Sequence, residues 1–239
     1  MQLNIYETVD EVLKNIAEYF VALTSESASE NRRFSVALSG GNSPKKLYAL
    51  LASDLFKNKV EWDHIDFFFG DERYVPQTDE ASNFKMVNDV FFRPLNIPAA
   101  HIFPINTALT PVDAASEYSK LVSAYFKDKE QRFDLILLGL GDNAHTASLF
   151  PYTPVLQETA ASVKAVFLTD QQAYRITLTA PLINLARHIA FLVYGQDKAN
   201  AVYEIIKEQY NAQKYPAQLI KPVTGNLVWY LDKAAASKI

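Results

Sequence analysis

Short apolar runs alternate with helix-like segments along most of this chain, and this alternation limits the folds that it can adopt. The apolar runs lie at 34–38, 65–69, 133–138, 163–168, 176–178, 189–194 and 227–231. Such runs are typical of strands that are covered on both faces. The segments 7–28, 44–52, 82–92, 111–126 and 198–209 have helical character. Alternating strands and helices predict an α/β fold, a Rossmann-like sandwich in which helices cover both faces of a parallel sheet.

The composition excludes several kinds of functional site. The 239 residues include no cysteine, which excludes disulfides, zinc thiolate sites, iron–sulfur clusters and cysteine nucleophiles. The four histidines are too scattered to suggest a His-rich metal site. The net charge of -4 and the lack of a basic run do not fit a nucleic-acid-binding domain. An anionic ligand would therefore be bound by a local cluster of donors.

The chain shows no Gly/Ser linker, internal repeat or secretory signal, and no apolar stretch of about 18 residues. We therefore expect a single domain over residues 1–239, in the cytoplasm and without a membrane partner. The sequence leaves open whether the protein is a monomer or a homodimer.

A glycine-rich turn follows the first predicted buried strand and opens a helix. Paired glycines let the backbone approach a ligand closely, and the helix start offers free N–H groups and the positive end of a dipole. A phosphate group suits this turn. A plain strand-to-helix turn capped by Ser43 is the alternative. The candidate binding residues are Ser39, Gly40, Gly41 and Asn42.

A charged turn follows the next predicted strand, where three phenylalanines end at Gly70. Arg73 is suited to a bidentate contact with phosphate, and Asp71 and Glu72 are placed to hold Arg73 or a substrate hydroxyl. A solvated turn with a surface salt bridge is the alternative.

A second glycine turn, Gly139-Leu140-Gly141, follows the strand predicted at 133–138 and leads to His145. The imidazole of a histidine titrates near neutral pH, which suits a general base. We expect His145 near the start of a short helix beyond the sheet edge.

Two other interpretations of this segment are weaker. Gly139, Gly141 and Ala144 match a relaxed dinucleotide fingerprint, but Pro151 and Pro154 interrupt the crossover helix that such a site needs. A serine hydrolase would use Ser148 or Ser39 with His145, but neither serine lies in a Gly-x-Ser-x-Gly elbow.

Two further basic residues belong with these turns. Arg175 interrupts an otherwise apolar strand, so it lies either at an edge or in a site. Lys198 follows the strand predicted at 189–194 and adds a positive charge beyond its end.

Taken together, these segments resemble the 6-phosphogluconolactonase family, within the wider superfamily that also holds glucosamine-6-phosphate deaminases and isomerases. The motifs occur in family order and cover nearly the whole chain. The deaminase pattern usually has Glu where Phe150 stands, which argues against deamination. The matching pieces are Ser39-Gly40-Gly41-Asn42-Ser43-Pro44, Gly70-Asp71-Glu72-Arg73-Tyr74-Val75 with Ser82-Asn83, His145-Thr146-Ala147-Ser148-Leu149-Phe150-Pro151, Arg175-Ile176-Thr177 with Asn184, Gly195 with Lys198-Ala199, and 216–232.

The resemblance implies a fold like that of glucosamine-6-phosphate deaminase and ribose-5-phosphate isomerase. It also implies hydrolysis of the sugar phosphate 6-phospho-D-glucono-1,5-lactone to 6-phosphogluconate, with no cofactor. In this hypothesis His145 takes a proton from the attacking water, and backbone N–H groups of the glycine turns stabilise the oxyanion. Arg73, Arg175 and Lys198 hold the phosphate or neutralise nearby charge.

The chain departs from the family pattern directly before the histidine. The family usually has Asp-Gly there, whereas this chain has Asn143 and Ala144. An Asp could orient the imidazole and favour its protonated form, whereas Asn143 can accept a hydrogen bond but carries no charge. A positive φ at Ala144 would cost roughly 1–2 kcal/mol.

Two alternative functions follow from the same residues. One is aldose–ketose isomerisation or deamination of an amino sugar phosphate, with Asp71 as the proton-abstracting base. The other is a sugar-phosphate sensor that keeps the pocket but has lost the chemistry at Asn143 and Ala144.

Overall fold

The computed structural model describes residues 1–127, 130 and 132–239, and its strands form two sheets. The strands are β1 (Gln2–Tyr6), β2 (Phe34–Leu38), β3 (Ile65–Phe69), β4 (Asp71–Arg73), β5 (Leu135–Leu138), β6 (Val163–Leu168), β7 (Ala173–Leu178), β8 (His188–Val193) and β9 (Asn226–Asp232). The α-helices are α1 (Val9–Ser29), α2 (Asn42–Leu51), α3 (Asn83–Val87), α4 (Arg93–Leu95), α5 (Pro111–Tyr125), α6 (Ala180–Ile183) and α7 (Ala199–Ile206).

The larger sheet has six strands in the order β1-β9-β8-β5-β2-β3, and each neighbouring pair is parallel. This confirms the predicted α/β architecture with a parallel sheet flanked by helices. Every residue of β2, β3 and β5 is buried, as expected for strands covered on both faces. Because the strands are parallel, the turns after β8, β5, β2 and β3 lie along one edge of the sheet.

A second, three-stranded antiparallel sheet has the order β4-β7-β6 and was not expected from the alternation of strands and helices. Helix α5 packs against β6 and β7. The short strand β4 begins directly after Gly70, so the chain passes from the large sheet into the small one at the charged turn. The small sheet therefore adds its own side chains to the edge where the candidate turns lie.

The helix predicted at 82–92 is longer than expected and irregular. It runs through α3, a π-helical segment at Asn88–Phe92 and α4, and ends at Asn96, whose φ is 53°. Pro94 lacks a backbone N–H and its ring crowds the carbonyl of Val90, which accounts for the widened turn before it.

Among the described residues, none of the helices combines the length and the apolar character that crossing a bilayer requires.

Candidate functional site

A cleft of about 590 Å³ opens at the carboxyl ends of β2, β3, β5 and β8, with the small sheet on one side. Nine of the sequence-predicted site residues line it: Ser39, Gly40, Gly41, Asn42, Asp71, Arg73, His145, Arg175 and Lys198. The tenth, Asn143, contacts His145. The fold thus brings the candidate residues of five separate segments together around one opening.

The glycine turn after β2 leaves the start of α2 without a side-chain cap. Gly41 is the N-cap residue with φ 103°, and no side chain accepts a hydrogen bond from the first amides of α2. The backbone of Ser39 is fixed by the Tyr48 hydroxyl, which lies 3.0 Å from the Ser39 nitrogen and 2.9 Å from its carbonyl oxygen. The Ser39 hydroxyl itself is buried and has no partner. The alternative of a turn capped by Ser43 is therefore wrong, and the free amides suit an anion.

The carboxylate of Glu72 organises the backbone after β4 and does not hold the Arg73 guanidinium. It accepts hydrogen bonds from the amides of Arg73 (2.8 Å), Asn83 (2.6 Å) and Phe84 (2.8 Å), and from the Ser82 hydroxyl (3.2 Å). Burial raises the pKa of Glu72, and the backbone N–H groups oppose this shift. The expectation that Glu72 pairs with Arg73 is thus corrected: Glu72 caps the start of α3.

The Asn83 side chain links the charged segment at 71–73 to the glycine turn after β2. Its Nδ2 donates to the Asp71 carbonyl at 2.8 Å, and its Oδ1 accepts from the Arg73 guanidinium. It also lies against Gly40, where an added Cβ would come within 1.7 Å of Oδ1. Only glycine leaves room for this contact.

Asp71 is buried and accepts a hydrogen bond of 2.7 Å from the Ser148 hydroxyl. Burial raises the pKa of Asp71, while Ser148 and the charges of Arg73 and Arg175 oppose the shift. Because the Ser148 hydroxyl donates to Asp71, it does not face His145 as a serine nucleophile would.

Two arginines lie side by side on the small sheet. Arg73 on β4 is directly opposite Arg175 on β7. Arg175 donates to the Gln171 side chain at 2.6 Å, and Arg73 donates to Asn83 and to the Ala81 carbonyl, so within the described residues neither forms an ion pair. Burial and the adjacent Arg73 charge lower the pKa of Arg175. Two adjacent arginines without an ion-pair partner, only partly offset by the nearby Asp71 carboxylate, favour an anionic ligand.

Lys198 and Lys46 add positive charge from the large-sheet side of the cleft. Lys198 forms ion pairs with Asp142 and, at 3.6 Å, with Asp197. Lys46, on α2, lines the cleft with its ammonium 5.6 Å from the centre of the Tyr194 ring. No local sequence pattern marks Lys46, because an exposed helical lysine looks like any other.

His145 lies in a tight turn, and the short helix expected after it is absent. The chain forms successive turns at 141–149, with the Gly141 amide donating to the His145 carbonyl at 2.9 Å. Ala144 and Ala147 have φ values of 60° and 47°, which are incompatible with a right-handed helix. The expected strain at Ala144 is therefore present.

The hydrogen bonds of His145 define which ring nitrogen can act as a base. Its Nδ1 lies 2.5 Å from Oδ1 of Asn143, and its backbone amide lies 3.4 Å from the same oxygen. An amide oxygen only accepts, so Nδ1 carries the proton and Nε2 carries the lone pair. Burial lowers the pKa of His145 to about 4, and Lys198 adds to this shift. The imidazole is therefore neutral at neutral pH, as a general base requires.

The described residues contain no group of three His, Asp or Glu side chains arranged to hold a metal ion.

Comparisons with known proteins point to one family. The family model for glucosamine-6-phosphate isomerases/6-phosphogluconolactonase matches residues 7–229. The 6-phosphogluconolactonase of Synechocystis is 40% identical over 219 residues, which cover 90% of this chain and 88% of the relative. A probable 6-phosphogluconolactonase of Arabidopsis thaliana is 33% identical and covers 100% of this chain and 93% of its own. The 6-phosphogluconolactonase structure from Trypanosoma cruzi superposes with a TM-score of 0.87 at 27% identity, covering 100% and 96% of the two chains.

Proposed function

The chain belongs to the glucosamine-6-phosphate isomerase/6-phosphogluconolactonase family, and we propose that it hydrolyses 6-phospho-D-glucono-1,5-lactone to 6-phosphogluconate in the oxidative pentose phosphate pathway. The observation that carries the proposal is a neutral histidine, His145, in a cleft lined by arginine and lysine side chains. A lactone needs an activated water, and its phosphate needs cations. His145 can supply the activation, and the basic side chains of the cleft can supply the cations.

The phosphate is held by the cations and by the glycine turn. Arg73 and Arg175 present adjacent guanidinium groups, which suit bidentate contacts with phosphate oxygens. The amides at the start of α2, after Gly41, supply further donors, and Ser39 and Asn42 line the same part of the cleft. Lys198 adds a third charge once the phosphate competes with Asp142 for its ammonium.

His145 acts as the base through Nε2. It takes a proton from water as the oxygen of that water attacks the lactone carbonyl. Asn143 keeps the proton on Nδ1 and so fixes the tautomer. The carbonyl oxygen becomes an oxyanion, which backbone N–H groups of the glycine turns stabilise. When the tetrahedral intermediate collapses, the bond to the ring oxygen breaks and that oxygen takes the proton from the imidazolium.

Asp71 lies at the base of the cleft, where Ser148 fixes one of its oxygens. Its other oxygen lies 3.4 Å from the Asn83 side-chain nitrogen, and the carboxylate offsets the charges of Arg73 and Arg175. We assign Asp71 to substrate orientation rather than to proton abstraction.

Residues 1–239 act as one domain without a cofactor, as a monomer or a homodimer in the cytoplasm. The partner is a small sugar phosphate and neither nucleic acid nor a membrane.

A coupled assay with freshly generated lactone, corrected for spontaneous ring opening, tests the proposal. We expect clear lactonase turnover in the wild type and a loss of about 10²–10⁴-fold in His145→Ala. His64→Ala is the matched control, because His64 is exposed and lies outside this cleft. Near-normal turnover in His145→Ala would contradict the role of His145 as the base.

Two other outcomes would identify the alternative functions. Ammonia release from glucosamine 6-phosphate would identify a deaminase, and sugar-phosphate binding without hydrolysis would identify a sensor.

A further inference from the structure

The imidazole of His145 contacts two further residues, Phe150 and Gly141, in addition to its hydrogen-bond partner Asn143. The Phe150 ring stacks on it with a centroid distance of 3.9 Å and an interplanar angle of 16°. On its Nδ1–Cε1 side lies Gly141, where an added Cβ would come within 2.0 Å of both atoms. One ring face and one ring edge are thus in contact with fixed neighbours, and Nε2 is left for the cleft.

These two neighbours are positioned by the turn itself. The Gly141 amide donates to the His145 carbonyl at 2.9 Å, and Ala144 and Ala147 reverse the chain through positive φ angles. This path brings the ring of Phe150 back over the imidazole five residues earlier in the chain. The backbone path of the turn thus places the two rings where they stack.

We propose that Gly141 and Phe150 form a slot for the imidazole, and that Phe150 is a positioning residue that aims Nε2 of His145 at the substrate and shields the ring from water. The proposal rests on the proposed function, in which His145 is the base. Phe150 donates no proton and bears no charge, so it acts through His145.

The charges around His145 do not by themselves account for its low pKa. Lys198, Arg175 and Arg73 lower the pKa of His145 and Asp142 raises it, but burial is the largest cause. Phe150 covers one face of the ring and supplies part of that burial. A smaller, non-planar side chain at position 150 admits water to the ring and lets the imidazole tilt.

The test compares Phe150→Leu, Phe150→Tyr and Phe167→Leu. We expect Phe150→Leu to lower kcat roughly 10- to 100-fold with KM changed less than about threefold, since a small misplacement of a catalytic group is costly. Phe150→Tyr keeps the flat ring and should retain kcat within about threefold. Phe167 is an exposed phenylalanine on β6 outside the cleft, so Phe167→Leu should match the wild type.

The pKa of His145 distinguishes a positioning role of Phe150 from a general loss of structure. It can be followed by NMR, with the His145 resonance assigned by its absence in His145→Gln. We expect it to rise in Phe150→Leu from about 4 toward the ordinary histidine value, and to stay low in Phe150→Tyr. This readout does not depend on catalysis, so it tests the slot even if His145 proves not to be the base. Wild-type kcat and an unchanged pKa in Phe150→Leu would overturn the proposal.

A second variant covers the case in which Phe150→Leu does not fold. Gly141→Ala leaves Phe150 in place but pushes a methyl group into the ring of His145. We expect a loss of kcat with little change in KM. Full activity in a folded Gly141→Ala protein would show that the imidazole does not need the slot.

Discussion

Lys198, in the turn after β8, forms an ion pair with Asp142, in the turn after β5. The two turns belong to neighbouring strands of the sheet, and the pair lies beside His145. Asp142 therefore neutralises Lys198 and does not orient the imidazole, a role that falls to Asn143. Under the proposed function, substrate phosphate and the Asp142 carboxylate compete for the same ammonium group.

Releasing Lys198 should improve substrate binding. In Asp142→Asn the Lys198 ammonium is free to bind phosphate. Because Asp142 is largely exposed, its ion pair with Lys198 is weak, and we expect KM to fall by only about twofold. The value of kcat should be nearly unchanged. Steady-state assays at constant ionic strength measure it, with Asp197→Asn as the control for the more distant carboxylate. A rise in KM would mean that Asp142 is needed to hold Lys198 in position.

The pH–rate profile should report the low basicity of His145. With a pKa of about 4 in the free enzyme, kcat/KM should stay level from neutral pH down to about pH 5 and fall below it as Nε2 is protonated. In Asn143→Asp a carboxylate beside Nδ1 favours the imidazolium, so the acid limb should move up by about 1–3 pH units. We expect turnover at neutral pH to be preserved or raised, since a stronger base remains largely neutral there.

Asn143→Ala is the control for this change, because it removes the acceptor without adding charge. It should lower turnover without moving the acid limb upward. A large loss of activity in Asn143→Asp would show that the amide has a role that a carboxylate cannot fill.

The same depressed pKa links His145 to stability. The folded pKa of about 4 lies below the unfolded value of 6.5, so between these pH values the unfolded chain binds more protons. The free energy of unfolding should therefore fall as pH drops from about 6.5 to 4, with His145 contributing up to roughly 3 kcal/mol of that fall. Urea titrations of wild type and His145→Gln across this range measure the difference. Parallel curves for the two proteins would refute the link.

Ala144 should store strain that glycine relieves. Its φ of 60° is unfavourable for a residue with a Cβ. Ala144→Gly should stabilise the fold by about 1 kcal/mol, which raises Tm by roughly 2–4 °C in a chain of this size. Ala49→Gly, on the exposed side of α2, should destabilise by a similar amount, because helical alanine is favourable there. Differential scanning calorimetry distinguishes the signs, and a lower Tm in Ala144→Gly would contradict the prediction.

The bounds of several strands could be predicted from their continuous apolar runs. The strands Phe34–Leu38, Ile65–Phe69 and Val163–Leu168 match the predicted apolar runs at both ends. The edge strand β1 was missed because it is only partly buried and mixes polar with apolar residues. Strand β4 was missed because Asp71, Glu72 and Arg73 resemble a solvated turn, and only pairing with β7 makes them a strand.

Site residues were predictable where glycine and charged residues follow the end of a strand. They were less predictable where the backbone conformation of a turn determines which side chains face the cleft. The convergence of the glycine turn after β2 with His145 after β5 follows from the parallel sheet, whereas Arg73 and Arg175 reach the same cleft from the small antiparallel sheet. The turns after His145 do not follow from residue type, since Ala147 is a good helix former that here has a positive φ. The roles of Glu72 and Asn83 depend on contacts between distant segments, which no local pattern encodes.

The side-chain amide of Asn83 contacts Gly40, supports Arg73 and anchors the carbonyl of Asp71. The glycine turn after β2 and the strand β4 therefore depend on the same side chain, whereas the imidazole is held by Asn143. Under the proposed function, loss of the Asn83 amide would loosen the phosphate-binding side chains and leave the His145 turn intact, so substrate binding and hydrolysis would fail independently.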